Sequence, residues 1–139
     1  MSAPVGTAMK GAARALAALA LAATLGTPPP ARAAPPPHEQ QRIEQLLDAL
    51  AADSRSRFVR NGTAYSGADA ARFLRAKLRA QGQDIAGADA FIERIASRSG
   101  TTGQPYRVCT PGSECVDAGA HLRALLAALP PARPGHLAR

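Results

Sequence analysis

A chain of 139 residues, 17 of them basic and 10 acidic, has room for one modest core and carries no sign of a second domain or of repeats. Its net charge of +7 comes mostly from scattered arginines that form no run or stripe, which argues against a nucleic-acid surface. Two cysteines are too few for a structural zinc site, and adding the nearby His121 still leaves the set without a fourth ligand.

The first 33 residues read as a signal peptide. Lys10 and Arg14 open it, an apolar run from Ala15 to Leu25 follows, and Ala31-Arg32-Ala33-Ala34 gives a small-x-small exit. Cleavage is expected between Ala33 and Ala34. The apolar run is too short for a membrane anchor, which needs about 20 apolar residues, and no Cys follows it to carry a lipid. Removing residues 1–33 takes away Lys10, Arg14 and Arg32, leaving 14 basic residues against 10 acidic ones, a net +4. The expected home is the periplasm or the medium, with no membrane span after processing.

Residues 34–37, Ala-Pro-Pro-Pro, form a stiff leader. A single domain is expected over residues 38–130. Its first helix runs from about His38 to Ala52, with Ile43, Leu46, Leu47 and Leu50 on one stripe and Glu39 in the dipole-favoured first turn. Strand-type residues then flank Asn61-Gly62, a type I′ hairpin signal spanning Arg57 to Tyr65. Ser66 and Asp69 make a capping-box pattern for a second helix, which runs to about Ala80, turns Ala71, Leu74 and Leu78 inward, and ends at Gly82. A third helix is predicted from Ala88 to Ser97, its core face made by Ala88, Phe91, Ile92, Ile95 and Ala96.

A flexible loop at Ser99 to Gly103 leads to a predicted strand from Gln104 to Cys109, a Pro111-Gly112 turn and a return strand from Glu114 to Val116. Asp117 is placed to cap a last helix striped by Leu122, Leu125, Leu126 and Leu129 and stopped by Pro130-Pro131. The Pro-rich tail, residues 131–139, reads as disordered. The expected fold is α+β: about four amphipathic helices on a small antiparallel sheet of short hairpins. With three Phe and no Trp, the core predicts modest stability. Two cysteines in an oxidising compartment suggest a Cys109–Cys115 disulfide. A two-residue turn at Pro111-Gly112 would pair Cys109 with Glu114, so the bridge requires a five-residue loop or a bulge.

From Glu39 to Leu129 the chain resembles the YfeK-like periplasmic proteins, a family of unknown function. The resemblance lies in Phe58-Val59-Arg60-Asn61-Gly62, Leu74-Arg75-Ala76-Lys77-Leu78, Phe91-Ile92 with Ala96-Ser97-Arg98-Ser99, and Gly103-Gln104-Pro105-Tyr106. It implies export and a small α+β fold, and brings no activity, substrate or catalytic residue. The family pattern has Thr capping the third helix and a second Ser after the equivalent of Ser99; this chain has Gly87 and Gly100 there. The Cys pair is not a general family feature.

No catalytic set assembles from the residues. Ser97 and Ser99 are possible nucleophiles, but His38 and His136 lie near the ends and His121 reads as an exposed flank of the last helix. Asp89 and Glu93 are i, i+4 on one helix, where Asp89 is simply dipole-favoured. Lys77 reads as snorkelling beside Leu74 and Leu78 rather than as an activated amine. No metal cluster or phosphate-cradling loop is present, and no cofactor is expected.

The binding candidates are Arg60, Asn61, Tyr65, Ser97, Ser99 and Tyr106. Asn61 and Gly62 are explained by turn geometry alone. A turn does not require Arg60, whose guanidinium suits a carboxylate: an acid on a packed helix is the first reading, a ligand the second. If the Tyr106 strand pairs beside the hairpin, Tyr106 and Arg60 share a face. The expected function is a non-catalytic binding module for an envelope protein or component not identifiable from sequence. The rivals are a small envelope hydrolase with a fold-assembled site and a passive stress factor without a ligand.

Overall fold

The computed structural model describes Gly6, residues 26–28 and residues 34–131. The signal-peptide reading and residues 132–139 of the tail lie outside the described residues, apart from Gly6 and 26–28. In chain order the elements are α1 (Pro37–Ala52), β1 (Arg57–Arg60), β2 (Thr63–Ser66), α2 (Gly67–Gln81), α3 (Ala88–Phe91) running straight into a π-helical turn (Ile92–Ala96), β3 (Arg107–Cys109), β4 (Val116–Asp117) and α4 (Ala118–Ala128). The α+β architecture is as expected. None of the described helices is long and apolar enough to cross a membrane.

The stripes of all four helices turn inward as their spacing requires. Ile43, Leu46, Leu47 and Leu50 of α1, Ala71 and Leu74 of α2, and Leu122 and Leu126 of α4 are buried. Ala88, Phe91, Ile92, Ile95 and Ala96 join them from the third helical segment. Helix α2 contacts β1 and β2, and α4 contacts β3 and β4. Helix α1 lies across α2, α3 and α4.

The sheet is antiparallel with strand order β2-β1-β3-β4. Asn61 at φ 48° and Gly62 at φ 80° close the β1–β2 hairpin, the two positive angles a type I′ turn demands. Ser66 caps α2 through its hydroxyl, which accepts the Asp69 N–H at 3.1 Å.

The second hairpin is shorter than predicted, for identifiable reasons. Residues 104–106 bond to a neighbouring loop and to α4 instead of to a strand: Gln104 O accepts Ser99 N–H, Tyr106 N–H donates to Ser97 O, and Tyr106 O accepts Ala118 N–H. Pro105 has no N–H to give a ladder. The return strand starts at Val116 because residues 110–114 make a five-residue loop. Val108 pairs with Val116 and Arg107 with Asp117, so the next rung sets Cys109 against Cys115. They form the expected disulfide, with Cα atoms 4.1 Å apart. Closing so short a loop contributes about 2 kcal/mol in the chain-entropy account. Asp117 does precede α4, but its side chain makes no capping bond. The α4 N–H groups start instead with Ala118 donating to Tyr106 O at 2.8 Å.

Helix α3 has a cap borrowed from another helix. Glu39 Oε2, in the first turn of α1, accepts the Ala88 N–H at 2.8 Å. A Cβ on Gly87 would stand 2.3 Å from that same oxygen. Gly87 therefore gives up a local capping side chain and makes room for a remote carboxylate. The Ala88 N–H holds the Glu39 carboxyl below its ordinary range, against burial, with Arg42 at 3.0 Å adding to the effect. A folded pKa below the unfolded one means stability is present above about pH 4.5 and is lost as pH falls through the folded value. Glu39→Ala is expected to cost about 1 kcal/mol at neutral pH, the usual worth of a cap. Thermal melts at neutral pH and about pH 3 should show the gap between wild type and variant closing at the acid end.

Candidate functional site

A cleft of about 370 Å³ lies between one face of α2, the end of β1 and the Ser99–Thr101 loop. Helix α2 contributes Phe73, Ala76, Lys77, Ala80 and Gln81, a run at helical spacing. The hairpin contributes Arg60 and the segment before β3 contributes Tyr106. The strand pairing explains the meeting of these two: β1 and β3 are neighbours, with Val59 opposite Arg107.

Phe73 and Tyr106 line the cleft, and the buried Phe58 backs them. Phe58, Phe73 and Tyr106 pack with centroids 5.3 to 5.7 Å apart in tilted or edge-to-face arrangements. Tyr65 joins at the side, 6.5 Å from Phe73. Arg60 lies over the Phe73 ring, its guanidinium carbon 4.8 Å from the centroid. This corrects the expected internal carboxylate. No acid pairs with Arg60 among the described residues, and a cation–π contact holds it instead. Among the described residues, no carboxylate lines the cleft.

Lys77 is not the snorkelling surface residue that its sequence position suggests. Its ammonium turns inward and donates to Ile95 O at 2.8 Å, Arg98 O at 2.7 Å and the Tyr106 hydroxyl at 3.2 Å. All three of its protons are thus committed. Burial pushes the Lys77 pKa down, and the Arg60 charge adds to that. Burial pushes the Tyr106 phenol up, with Arg60 pulling the other way, so Tyr106 stays a protonated donor at neutral pH. Lys77 is therefore a strut between α2 and the end of the π turn, and Arg60 is the cleft's uncommitted cation.

The loop wall is self-stapled. Ser99 is buried, and its hydroxyl accepts the Thr101 and Thr102 N–H groups and meets the Asn61 amide at 3.4 Å. Thr102 donates back to Asn61 Oδ1 at 2.8 Å. Asn61 thus does two jobs: it makes the turn and ties the hairpin tip to the loop. Ser97 lies elsewhere. Its hydroxyl donates to Ile92 O at 2.5 Å, and it lines a separate cleft of about 360 Å³ with Glu93, Arg98, Asp117 and Arg123. Among the described residues, neither serine has a histidine or lysine as a hydrogen-bond partner.

Of the six sequence candidates, Arg60, Ser99 and Tyr106 share the cleft, Asn61 secures its rim, Tyr65 packs beside Phe73 and Ser97 lies outside the cleft. Phe73 and Lys77 were missed. Phe73 is the one aromatic residue of α2 and falls beside the Leu74 stripe, where it reads as plain core; nothing local distinguishes Lys77 from a surface lysine. His121 is also not the exposed flank expected. It is half-buried, with Nε2 3.9 Å from the Asp53 carboxylate. No cluster of three or more metal-binding side chains occurs among the described residues.

The molecule is thus a small α+β domain with a cleft between a helix and a sheet that Arg60 and Lys77 make cationic. By sequence, the chain belongs to the family of unknown function DUF5329, whose profile matches residues 37–130. It is 43% identical over 77 residues to the uncharacterized protein YfeK of Salmonella typhimurium, a match covering 55% of this chain and 64% of that protein. The chain therefore spans just under two thirds of that relative's length. No solved structure matches it.

Proposed function

We propose that the protein is an exported, non-catalytic binding module that holds an anionic group of an envelope component in the Arg60 cleft. One observation carries the reading: among the described residues, a guanidinium faces a cleft without a carboxylate, and its neighbouring cation Lys77 has no proton to spare. A planar, always-charged donor set in such a place is built to meet an oxyanion. The decisive experiment is capture from an envelope extract with wild type and Arg60→Ala. Loss of capture is expected, with stability changed by no more than about 1 kcal/mol, the worth of an exposed or half-exposed cation–π contact. A large fall in melting temperature with capture unchanged would make Arg60 a structural residue only.

Export rests on the charged start, short apolar centre and small-x-small exit of residues 1–33. Intact mass of the secreted material should give an N-terminus at Ala34. Full-length protein retained in the cytoplasm would remove the envelope from the proposal and leave the cleft.

A further inference from the structure

Resting on that reading of the cleft, we infer that its ligand is the C-terminal carboxylate of an extended peptide of small residues, bound along α2 from Arg60 to Gln81. The charge comes first. Arg60 is the one cleft cation with donors to give, and the hydroxyl proton of Tyr106 has no acceptor among the described residues. A guanidinium fork plus one phenol O–H matches a planar, singly charged carboxylate with two oxygens. A phosphate dianion calls for more donors than this. Lys77 cannot supply them without releasing Ile95 O, Arg98 O or Tyr106.

The body of the ligand follows from the wall. Next to Phe73, the α2 wall carries Ala76 and Ala80, whose short methyl groups let a peptide backbone lie close to the helix, and at about 370 Å³ the cleft is at the small end of ligand sites, which suits small side chains. At the far end stand the Gln81 carboxamide and Gly100, which are close enough that a Cβ on Gly100 would lie 3.7 Å from the amide. The Gly100 N–H and C=O are on the exposed loop and make no hydrogen bond among the described residues. A carboxamide and an open peptide unit are complementary to another peptide unit. From Phe73 to Gln81 the helix rises about 12 Å. Three extended residues reach about 10 Å, which places a carboxylate at Arg60 and a peptide group at Gly100.

The test titrates isotope-labelled protein with Ala-Ala-Ala, with the same tripeptide as its C-terminal amide, and with inorganic phosphate, following amide resonances of Gly100 and Thr101 and the Arg60 side chain. Expected are shifts with the free acid, at least tenfold weaker binding of the amide, and loss of the response in Arg60→Gln. A parallel Gln81→Ala variant should weaken the tripeptide; tripeptide binding unaffected by Gln81→Ala overturns the placement of the peptide along α2. Equal binding of acid and amide overturns carboxylate recognition. Binding of phosphate alone overturns the peptide class and leaves the anion cleft standing. No response to any of the three, with envelope capture still dependent on Arg60, also overturns the peptide class alone; if capture is independent of Arg60 as well, the cleft reading falls with it.

Discussion

Phe58→Ala should lower stability by about 3–5 kcal/mol, the range for removing a large buried ring. Phe58 is only 1% exposed, packs against Phe73 at 5.7 Å and Tyr106 at 5.3 Å, and sits in the central strand pair of the sheet. Its loss opens a cavity between the sheet and α2, next to Phe73 and Tyr106, and since the helix and the sheet are each held by other contacts the gap cannot simply collapse. In a domain of roughly 100 residues each kcal/mol moves the melting temperature by about 4–8 °C. A thermal melt should therefore fall by more than about 12 °C. Phe58→Leu should retain most of that stability. A fall of only a few degrees for Phe58→Ala would mean that the three-ring cluster is not a cooperative part of the core.

Lys77→Met should cost about 2–4 kcal/mol although it keeps the buried stem. Methionine fills the same channel but cannot donate, so Ile95 O, Arg98 O and the Tyr106 hydroxyl lose their common partner. Lys77→Arg should recover little, because a flat fork cannot converge three short bonds the way an ammonium does. Thermal melts of the two variants, with Lys77→Ala beside them, separate the ammonium from the stem. A Lys77→Met melt equal to wild type would return Lys77 to the surface role that its sequence position suggests. Because Ile95 and Arg98 flank the end of the π turn, the Ser99–Thr101 resonances should broaden or shift with the same variants.

The elements that were readable in the sequence owe their form to local rules. The α1 stripe from Ile43 to Leu50, the Asn61-Gly62 turn and the Ser66 cap each depend on residues within one or two turns of each other. The cysteine pairing was readable for the same reason, since a five-residue loop places Cys109 opposite Cys115. What escaped depends on partners far along the chain. Glu39 looked like an ordinary first-turn acid, yet its chief bond goes to Ala88, 49 residues on. Lys77 looked like a lysine beside a leucine stripe, yet it serves carbonyls 18 and 21 residues away. Arg60 was recognised as surplus to its turn, but its aromatic partner replaced the expected acid. The π turn at Ile92–Ala96 left no trace, because Ala88, Phe91, Ile92, Ile95 and Ala96 are spaced as an ordinary helix would space them.

The strut formed by Lys77 has a consequence for how tightly a small cleft can hold a small ligand. Its two walls, α2 on one side and the loop after the π turn on the other, are already at their working distance before anything enters. The loop wall is further pinned by Asn61 and Ser99, and Arg60 is laid on Phe73 instead of waving in solvent. A ligand therefore spends little of its contact energy on ordering the receptor, which is where weak sites lose most of their affinity. Improvements or losses at this cleft should accordingly appear as changes in residence time, with the rate of entry left nearly constant.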